Sequence, residues 1–245
     1  MQFKSNITVI GGGMSGVCAA ISAARHGSTV AFVQDRPVLG GNASSEVRMH
    51  IVGATRHGKR KNLRETGIIE EILLENKFRN PEHSYGLFDT LLWEKVEKEK
   101  NITLFLNTYV RDVKTENGRI LSVIGNQNTT EKEIEFLSEI YIDCTGDGSV
   151  SAKAGAEFML GREAKNTFNE PNAVEKADTV TMGNSIQFRS LDAGHPVSFE
   201  RPDWAYDYSK EAWAKEMKWE EITSGYWWLE TGGTELNCVT DAEQT

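Results

Sequence analysis

The 245-residue sequence has only three cysteines, Cys18, Cys144 and Cys238, far apart and in no CxxC pair. That excludes a disulfide framework and a zinc knuckle, leaves no metal site to expect, and suits a reducing, cytoplasmic compartment. No apolar run reaches membrane-spanning length, so no membrane role is expected. Positive charge is in short supply: 27 Lys plus Arg stand against 36 Asp plus Glu, a net charge of −9. An acidic surface repels phosphate backbones, which argues against nucleic acid as a partner. The one basic run, Arg56-His57-Gly58-Lys59-Arg60-Lys61-Asn62-Leu63-Arg64, holds no aromatic residue on which bases would stack. It reads as a solvated loop, with a dedicated anion site as the alternative. There is no internal repeat and no low-complexity tract.

What is present starts at residue 7. Ile7-Thr8-Val9-Ile10 is a β-branched run that stops at three glycines, the pattern of a buried parallel strand followed by a tight turn. Val17, Ala20, Ile21 and Ala24 then recur at helical spacing, Gly27 closes the helix, and Thr29–Val33 is a second strand. Strand, glycine turn, helix and strand within about 30 residues form a βαβ unit. The apolar stretch from Ile7 to Ala24 also has the look of a signal-peptide core. Its glycines and its Arg25-His26-Gly27 ending fit the βαβ start better.

The glycines at this turn, Gly11-Gly12-Gly13-Met14-Ser15-Gly16, match GxGxxG. In that setting the first glycine permits the turn, the second admits a pyrophosphate to the backbone, and the third lets helix and strand pack closely. The N–H groups and dipole of the helix that starts here favour negative phosphates. The expectation is a Rossmann-like dinucleotide site. At the end of the second strand, where an acid that binds ribose hydroxyls is expected, stands Gln34, followed by Asp35 and then Arg36. Gln34 can bond a hydroxyl through its amide, and Asp35 can substitute for it. No Arg at position 34 invites an extra 2′-phosphate, although Arg36 is near.

Two further glycine segments favour FAD over NAD. Leu39-Gly40-Gly41-Asn42-Ala43-Ser44-Ser45 follows the second strand directly, where an NAD domain would ordinarily enter its next helix. Asp143-Cys144-Thr145-Gly146-Asp147-Gly148 ends a late strand at the carboxyl edge of the sheet, where ligands of open α/β sheets bind. A long, extended cofactor would use several such separated loops. Each segment taken alone can also be a plain turn.

With these motifs in place, the chain resembles the FAD-dependent oxidoreductase family of the two-dinucleotide-binding-domain flavoproteins. The resemblance rests on Ile7 to Arg48, with Arg36-Pro37-Val38-Leu39-Gly40-Gly41-Asn42-Ala43-Ser44-Ser45-Glu46-Val47-Arg48, and on Asp143 to Gly148 continuing to Ala154-Gly155-Ala156-Glu157-Phe158 and Gly161-Arg162-Glu163. It extends through Thr181-Met182-Gly183 and Pro202-Asp203-Trp204-Ala205 to Trp227-Trp228. It implies that Gly11, Gly13, Ser15 and Gly16 line the pyrophosphate and that Gln34 and Asp35 face the adenosine ribose, with Arg36 beside them. It further implies that Gly40, Gly41, Asn42, Ser44 and Ser45 lie along the pyrophosphate and flavin. Val110 would meet adenine through its backbone, and Gly146 and Asp147 would close the site. Such proteins usually run well past this length, so the chain is expected to be a front part.

Catalytic candidates come from Glu46-Val47-Arg48-Met49-His50-Ile51. As a strand, its period-two alternation puts Glu46, Arg48 and His50 on one face. His50 would then accept a proton as hydride leaves, and Arg48 would bind an anionic group or stabilise reduced flavin. The alternative is a salt-bridged, half-exposed strand.

Further along, helices are expected around Ile68–Leu74 and Thr90–Lys98, and strands at Ile102–Leu106, Ile120–Ile124 and Ile134–Ile142, with a hairpin signal at Asn117-Gly118. The later strands suggest a small antiparallel ribbon over the parallel sheet. Beyond Arg162 the chain turns polar and loop-like to about residue 185, and five of six tryptophans lie at Trp204 or later. The fold class expected is therefore α/β, with an FAD-binding domain over 1–162, carrying an insertion around 50–85, and the beginning of a mixed substrate domain over 163–245. A helix over Lys210–Glu221 and a strand over Tyr226–Leu229 are expected there. The late aromatics Trp204, Tyr206, Tyr208, Trp213, Trp219, Tyr226, Trp227 and Trp228 read as core or interface, with a sugar-stacking platform as the alternative. Thr240-Asp241-Ala242-Glu243 has the form of a helix-capping box at the very end of the chain, which suggests truncation. The activity expected is hydride transfer from a small organic substrate, of carbohydrate or hydroxy-acid type, to FAD. An NAD(P)-binding reductase and a non-catalytic flavin-binding module are the rivals.

Overall fold

In Val30-Ala31-Phe32-Val33 every residue is buried, and alternate side chains enter different cores: Val30 and Phe32 one, Ala31 and Val33 the other. A strand with apolar residues at every position must be covered on both faces. That requirement organises the first part of the molecule.

A computed structural model of the chain describes residues 1–51, 64–181, 184–189, 193–205, 207 and 226–231. It divides into two units, Met1–Phe158 and Met159–Thr245. The first unit begins with β1 (Gln2–Lys4), β2 (Ile7–Ile10), α1 (Met14–Arg25) and β3 (Val30–Val33). Next come α2 (Ile68–Arg79), α3 (Tyr85–Glu97), β4 (Ile102–Phe105), β5 (Thr108–Glu116), β6 (Arg119–Gln127), β7 (Lys132–Leu137), β8 (Ile140–Asp143) and the short α4 (Ser149–Lys153). Strands β4, β3, β2 and β8 form a parallel sheet in that order, while β1, β7, β6 and β5 form a second sheet, antiparallel except for the β1–β7 pair.

One core joins the parallel sheet to the three long helices, through Val9, Phe32, Val17, Ile21, Ile72, Phe88 and Leu92. The other joins it to the second sheet, through Ile10, Val33, Phe105, Val123, Ile134 and Phe136. In this second core Phe105 meets Phe3 and Phe136 edge-on, with ring centroids 4.9 and 5.0 Å apart. The result is a mixed α/β fold of helices, parallel sheet and antiparallel sheet, in which β2, β3 and β8 all end at one edge.

Three expected elements differ from the sequence reading in their bounds. Residues 134–142 are not one strand: β7 ends at Leu137 in the antiparallel sheet and β8 starts at Ile140 in the parallel one. The crossing is held by Ser138, whose hydroxyl hydrogen-bonds to Ser5 and Thr8 and whose N–H donates to the Tyr141 hydroxyl. α3 starts earlier than expected because Ser84 caps it, accepting from the Leu87 N–H. α2 runs on to Arg79 although Phe78 is exposed, since Arg79 is tied to Glu75 and Glu94.

In the second unit a four-residue helix, α5 (Lys165–Phe168), interrupts the stretch expected to be loop. Strands β9 (Asn184–Arg189) and β10 (Tyr226–Thr231) pair antiparallel, so the expected strand at 226–229 is present and two residues longer. Arg162 and Asp178 form an antiparallel bridge, reinforced by a side-chain ion pair. The basic run up to Leu63, the helix over 210–221 and the capping box at 240–243 lie outside the described residues. No helix among the described residues is long and apolar enough to cross a membrane.

Candidate functional site

The backbone turns sharply after β2 because Gly11 takes a φ of +101°, a region closed to most side chains. A Cβ there would stand 2.1 Å from the Cys144 carbonyl oxygen, and one at Gly16 would stand 1.8 Å from the carbonyl oxygen of Gly11. Both glycines serve contact within the protein. Gly13 is different. Its φ is −64°, which any residue adopts, and a Cβ there would meet nothing within 4 Å. Neither strain nor packing asks for glycine at this position; the backbone lies bare toward a cavity.

At the same place α1 begins without a side-chain cap and without an acidic residue in its first turn. Helix N-termini carry unpaired N–H groups and a partial positive charge. Gly13, Met14 and Ser15 line the cavity, so this helix start faces it.

The second glycine segment is fastened to the first. The Gly40 N–H donates to the Gly12 carbonyl at 2.8 Å, and Gly13 and Gly40 form a parallel bridge. Gly40 has a φ of +109° and leads into one turn of 3₁₀ helix, Gly41–Ala43. The chain then folds back on itself: Arg48 N–H donates to Ser44 O and Met49 N–H to Asn42 O, both at 2.8 Å. From α3, the Asp89 carboxylate accepts from the Ser45 N–H at 3.0 Å.

The third segment is fastened to the first as well, through Cys144 N–H donating to Ile10 O at 2.7 Å. Its shape comes from Asp143, a residue that reading the motif passed over. The Asp143 carboxylate accepts from the N–H and hydroxyl of Thr145 at 3.0 and 2.6 Å and from those of Ser151 at 2.7 and 2.8 Å. Burial works against its charge, but these four bonds outweigh it and hold the carboxyl below the usual aspartate range. Beside it, burial pushes the Cys144 thiol up, and a hydrogen bond with Ser15 acts the other way.

Between the three turns lies a cavity of about 820 Å³, near the upper end of the size range of ligand pockets. Of the residues singled out in the sequence, Gly11, Gly13, Ser15, Gln34, Asp35, Arg36, Gly40, Gly41, Asn42, Val110, Gly146 and His50 line it. Gly16 lies beneath the turn against Gly11, Ser44 is buried under its loop, and Ser45, Arg48 and Asp147 are not on the wall. The wall also includes Met14, Tyr109, Met49, Cys144, Thr145 and Ser149. Tyr109 was missed because no strand was read over 108–116.

The segment 46–51 is not a strand, and its alternation fails. Glu46 and Val47 lie in a turn, and Arg48 takes a left-handed φ of +64°. The Arg48 Nε donates to Ser45 O at 2.8 Å, bracing its own loop, while His50 is exposed on the cavity wall. Glu46 accepts from Arg36 Nε at 2.8 Å, linking this loop to the end of β3. Gln34 is buried, with its side-chain oxygen accepting from the Gly12 N–H and its nitrogen donating to the Val38 carbonyl. Asp35 is exposed at the cavity and accepts no hydrogen bond among the described residues.

Comparison with known proteins follows this geometry. The model of a family described as FAD dependent oxidoreductase matches residues 6–243. A geranylgeranyl bacteriochlorophyll reductase-like protein from Thermoplasma acidophilum is 16% identical, with a TM-score of 0.51 over 77% of this chain and 47% of that one. At that identity the likeness is one of fold. THI4 from Thermovibrio ammonificans is 22% identical, with a TM-score of 0.46 over 66% of this chain and 67% of that one. The chain spans just under half the length of the Thermoplasma protein. No curated protein matches it.

Proposed function

The chain belongs to the FAD dependent oxidoreductase family, whose cofactor is FAD, and from that premise we propose that the cavity between the three turns is the FAD site. The observation that carries this reading is Gly13: a bare backbone at an uncapped helix start, where a Cβ would meet no atom of the described residues within 4 Å. The N–H groups of Met14 and Ser15, with Gly13, would hold the pyrophosphate. Asp35 would take the adenosine ribose, Val110 and Tyr109 the adenine side, and Gly40 to Asn42 the flavin side. Gly146 and Thr145 would close the cavity from the third turn, with Asp143 keeping that turn in shape.

Bound FAD supplies a two-electron acceptor. The substrate we propose is a small organic molecule with a hydroxyl-bearing carbon, of carbohydrate or hydroxy-acid type. As the carbon loses hydride, the hydroxyl loses a proton, and His50, which lines the cavity, would take it at a ring nitrogen. Arg48 would serve by bracing the loop through the bond from its Nε to Ser45 O.

The test is the visible absorption spectrum of the purified full-length protein, before and after candidate substrates are added. Flavin bands that bleach with a hydroxylated substrate are expected. Flavin that no substrate reduces would favour a binding module without catalysis, and a colourless protein that takes up no added FAD would overturn the reading. A His50→Ala variant that reduces flavin at the wild-type rate would remove His50 from the chemistry.

A further inference from the structure

At the end of β3, Gln34 has every polar atom of its backbone and both ends of its amide in use within the protein. Its N–H donates to Phe105 O at 2.9 Å, and its carbonyl accepts from Thr108 N–H at 2.8 Å. Its Oε1 accepts from Gly12 N–H at 2.7 Å, and its Nε2 donates to Val38 O at 3.1 Å. The residue is only 4% exposed. Gly12 in turn offers its carbonyl to Gly40 N–H. One residue of the first glycine turn is thus held through its N–H by Gln34 and through its carbonyl by the second glycine turn. The fit is close in space too: a Cβ at Gly12 would stand 2.8 Å from Gln34 Cδ and 2.8 Å from Leu39 Cδ2. This explains a glycine at the variable second position of GxGxxG.

We propose that Gln34 is a positioning residue that sets the spacing of the two glycine turns, and that a carboxylate at this position would not do the same work. The brace needs an acceptor at one end and a donor at the other. An ionised glutamate accepts from Gly12 N–H but meets the Val38 carbonyl with a lone pair in place of a hydrogen, in a buried setting where unmatched polar atoms are costly. A protonated glutamate restores the missing donor. The proposal rests on the FAD reading only for its effect on the cofactor; the brace itself belongs to the cofactor-free protein.

The experiment uses the full-length protein and the variants Gln34→Glu, Gln34→Met and Asp35→Asn, with two measurements on each: the melting temperature without FAD and the equilibrium affinity for added FAD. Asp35, Arg36, Glu46 and His50 line the same cavity, so the wild type over the same pH range is the baseline. In mildly alkaline buffer Gln34→Glu is expected to melt several degrees lower and to bind FAD on the order of tenfold more weakly, the scale of one lost buried hydrogen bond. Both losses shrink as the pH falls and the buried glutamate takes up a proton. Gln34→Met shows the losses without the pH recovery, and Asp35→Asn leaves the cofactor-free melting temperature unchanged. If a variant does not fold, amide hydrogen exchange of the wild type decides: Gly12 N–H should be protected without FAD, and free exchange there overturns the brace. So would a Gln34→Glu protein that matches wild type at every pH. A wild type that binds no FAD would sink the cofactor assignment instead, while the melting comparison still judges the brace.

Discussion

Two regions of the first unit solve the problem of polar groups in opposite ways. On the outer side of α1, α2 and α3, the work is done by charged side chains. Arg25 grips Glu71 at 2.8 and 3.1 Å and Glu99 at 2.7 Å, Lys95 reaches Glu71 at 2.6 Å and Glu75 at 2.5 Å, and Arg79 bridges Glu75 and Glu94. At the cavity edge the fastenings are mostly backbone to backbone, with amide or carboxylate side chains used as fixed acceptors. Charge pairs tolerate small movements and are screened by salt; backbone bonds at glycine contacts are set by sterics and are not. A region that must hold three turns at fixed spacing uses the second kind. A region that must only keep helices together uses the first.

That contrast is sharpest at two neighbouring glycines. Gly16→Ala should be the most damaging change, since its Cβ would overlap the Gly11 carbonyl. A loss on the order of 3–5 kcal/mol in denaturant unfolding is expected, with FAD binding lost as a consequence. Gly13→Ala should leave the cofactor-free protein as stable as wild type or up to about 1 kcal/mol more so, yet weaken FAD by at least about tenfold through contact with the cofactor alone. If the two variants behave alike, the distinction between structural and ligand-facing glycines is wrong.

Asp143→Asn comes next. The amide cannot accept the set of four donors, so a loss of about 1–3 kcal/mol is expected, with weaker FAD binding from a loosened third turn. Because the folded carboxyl lies below its ordinary value, its contribution is present above the unfolded pKa and disappears as the pH falls through the folded one. Acid titration of wild type and variant stability should therefore converge at low pH.

The smallest effect is expected on the helical face. Lys95→Met should cost about 1 kcal/mol after solvent screening and leave FAD affinity unchanged. Glu71 is drawn down to about 2 by its hydrogen bonds to Arg25 and Lys95. Its share of stability holds above the ordinary glutamate range and fades as the pH falls toward that value. Melting curves in low and high salt check the comparison directly: salt should narrow the gap between wild type and Lys95→Met and leave the Asp143→Asn gap as it was.

Much of this was legible from residues alone where the determinant is local. The βαβ unit follows from β-branched runs and a glycine turn within one short stretch. Less legible were features set by partners distant in sequence. Residues 134–142 carry one apolar pattern, yet the chain changes sheet at Ser138 because Ser5 and Thr8 hold it there. The alternation of 46–51 promised a strand, but hydrogen bonds back to Asn42 and Ser44 curl it, and Arg48 is not on the cavity wall. Asp143 looked like the start of a motif and is instead the acceptor that shapes it.

The sequence by itself determined which segments are strands and helices around the first turn, because side-chain period and turn chemistry act between near neighbours. Only the tertiary structure decided what Gln34 does, since its amide is defined by Gly12, twenty-two residues away, and by the Val38 carbonyl beyond the strand end. A side chain's chemistry is written in its type, but its job depends on which atoms the fold brings to its two ends.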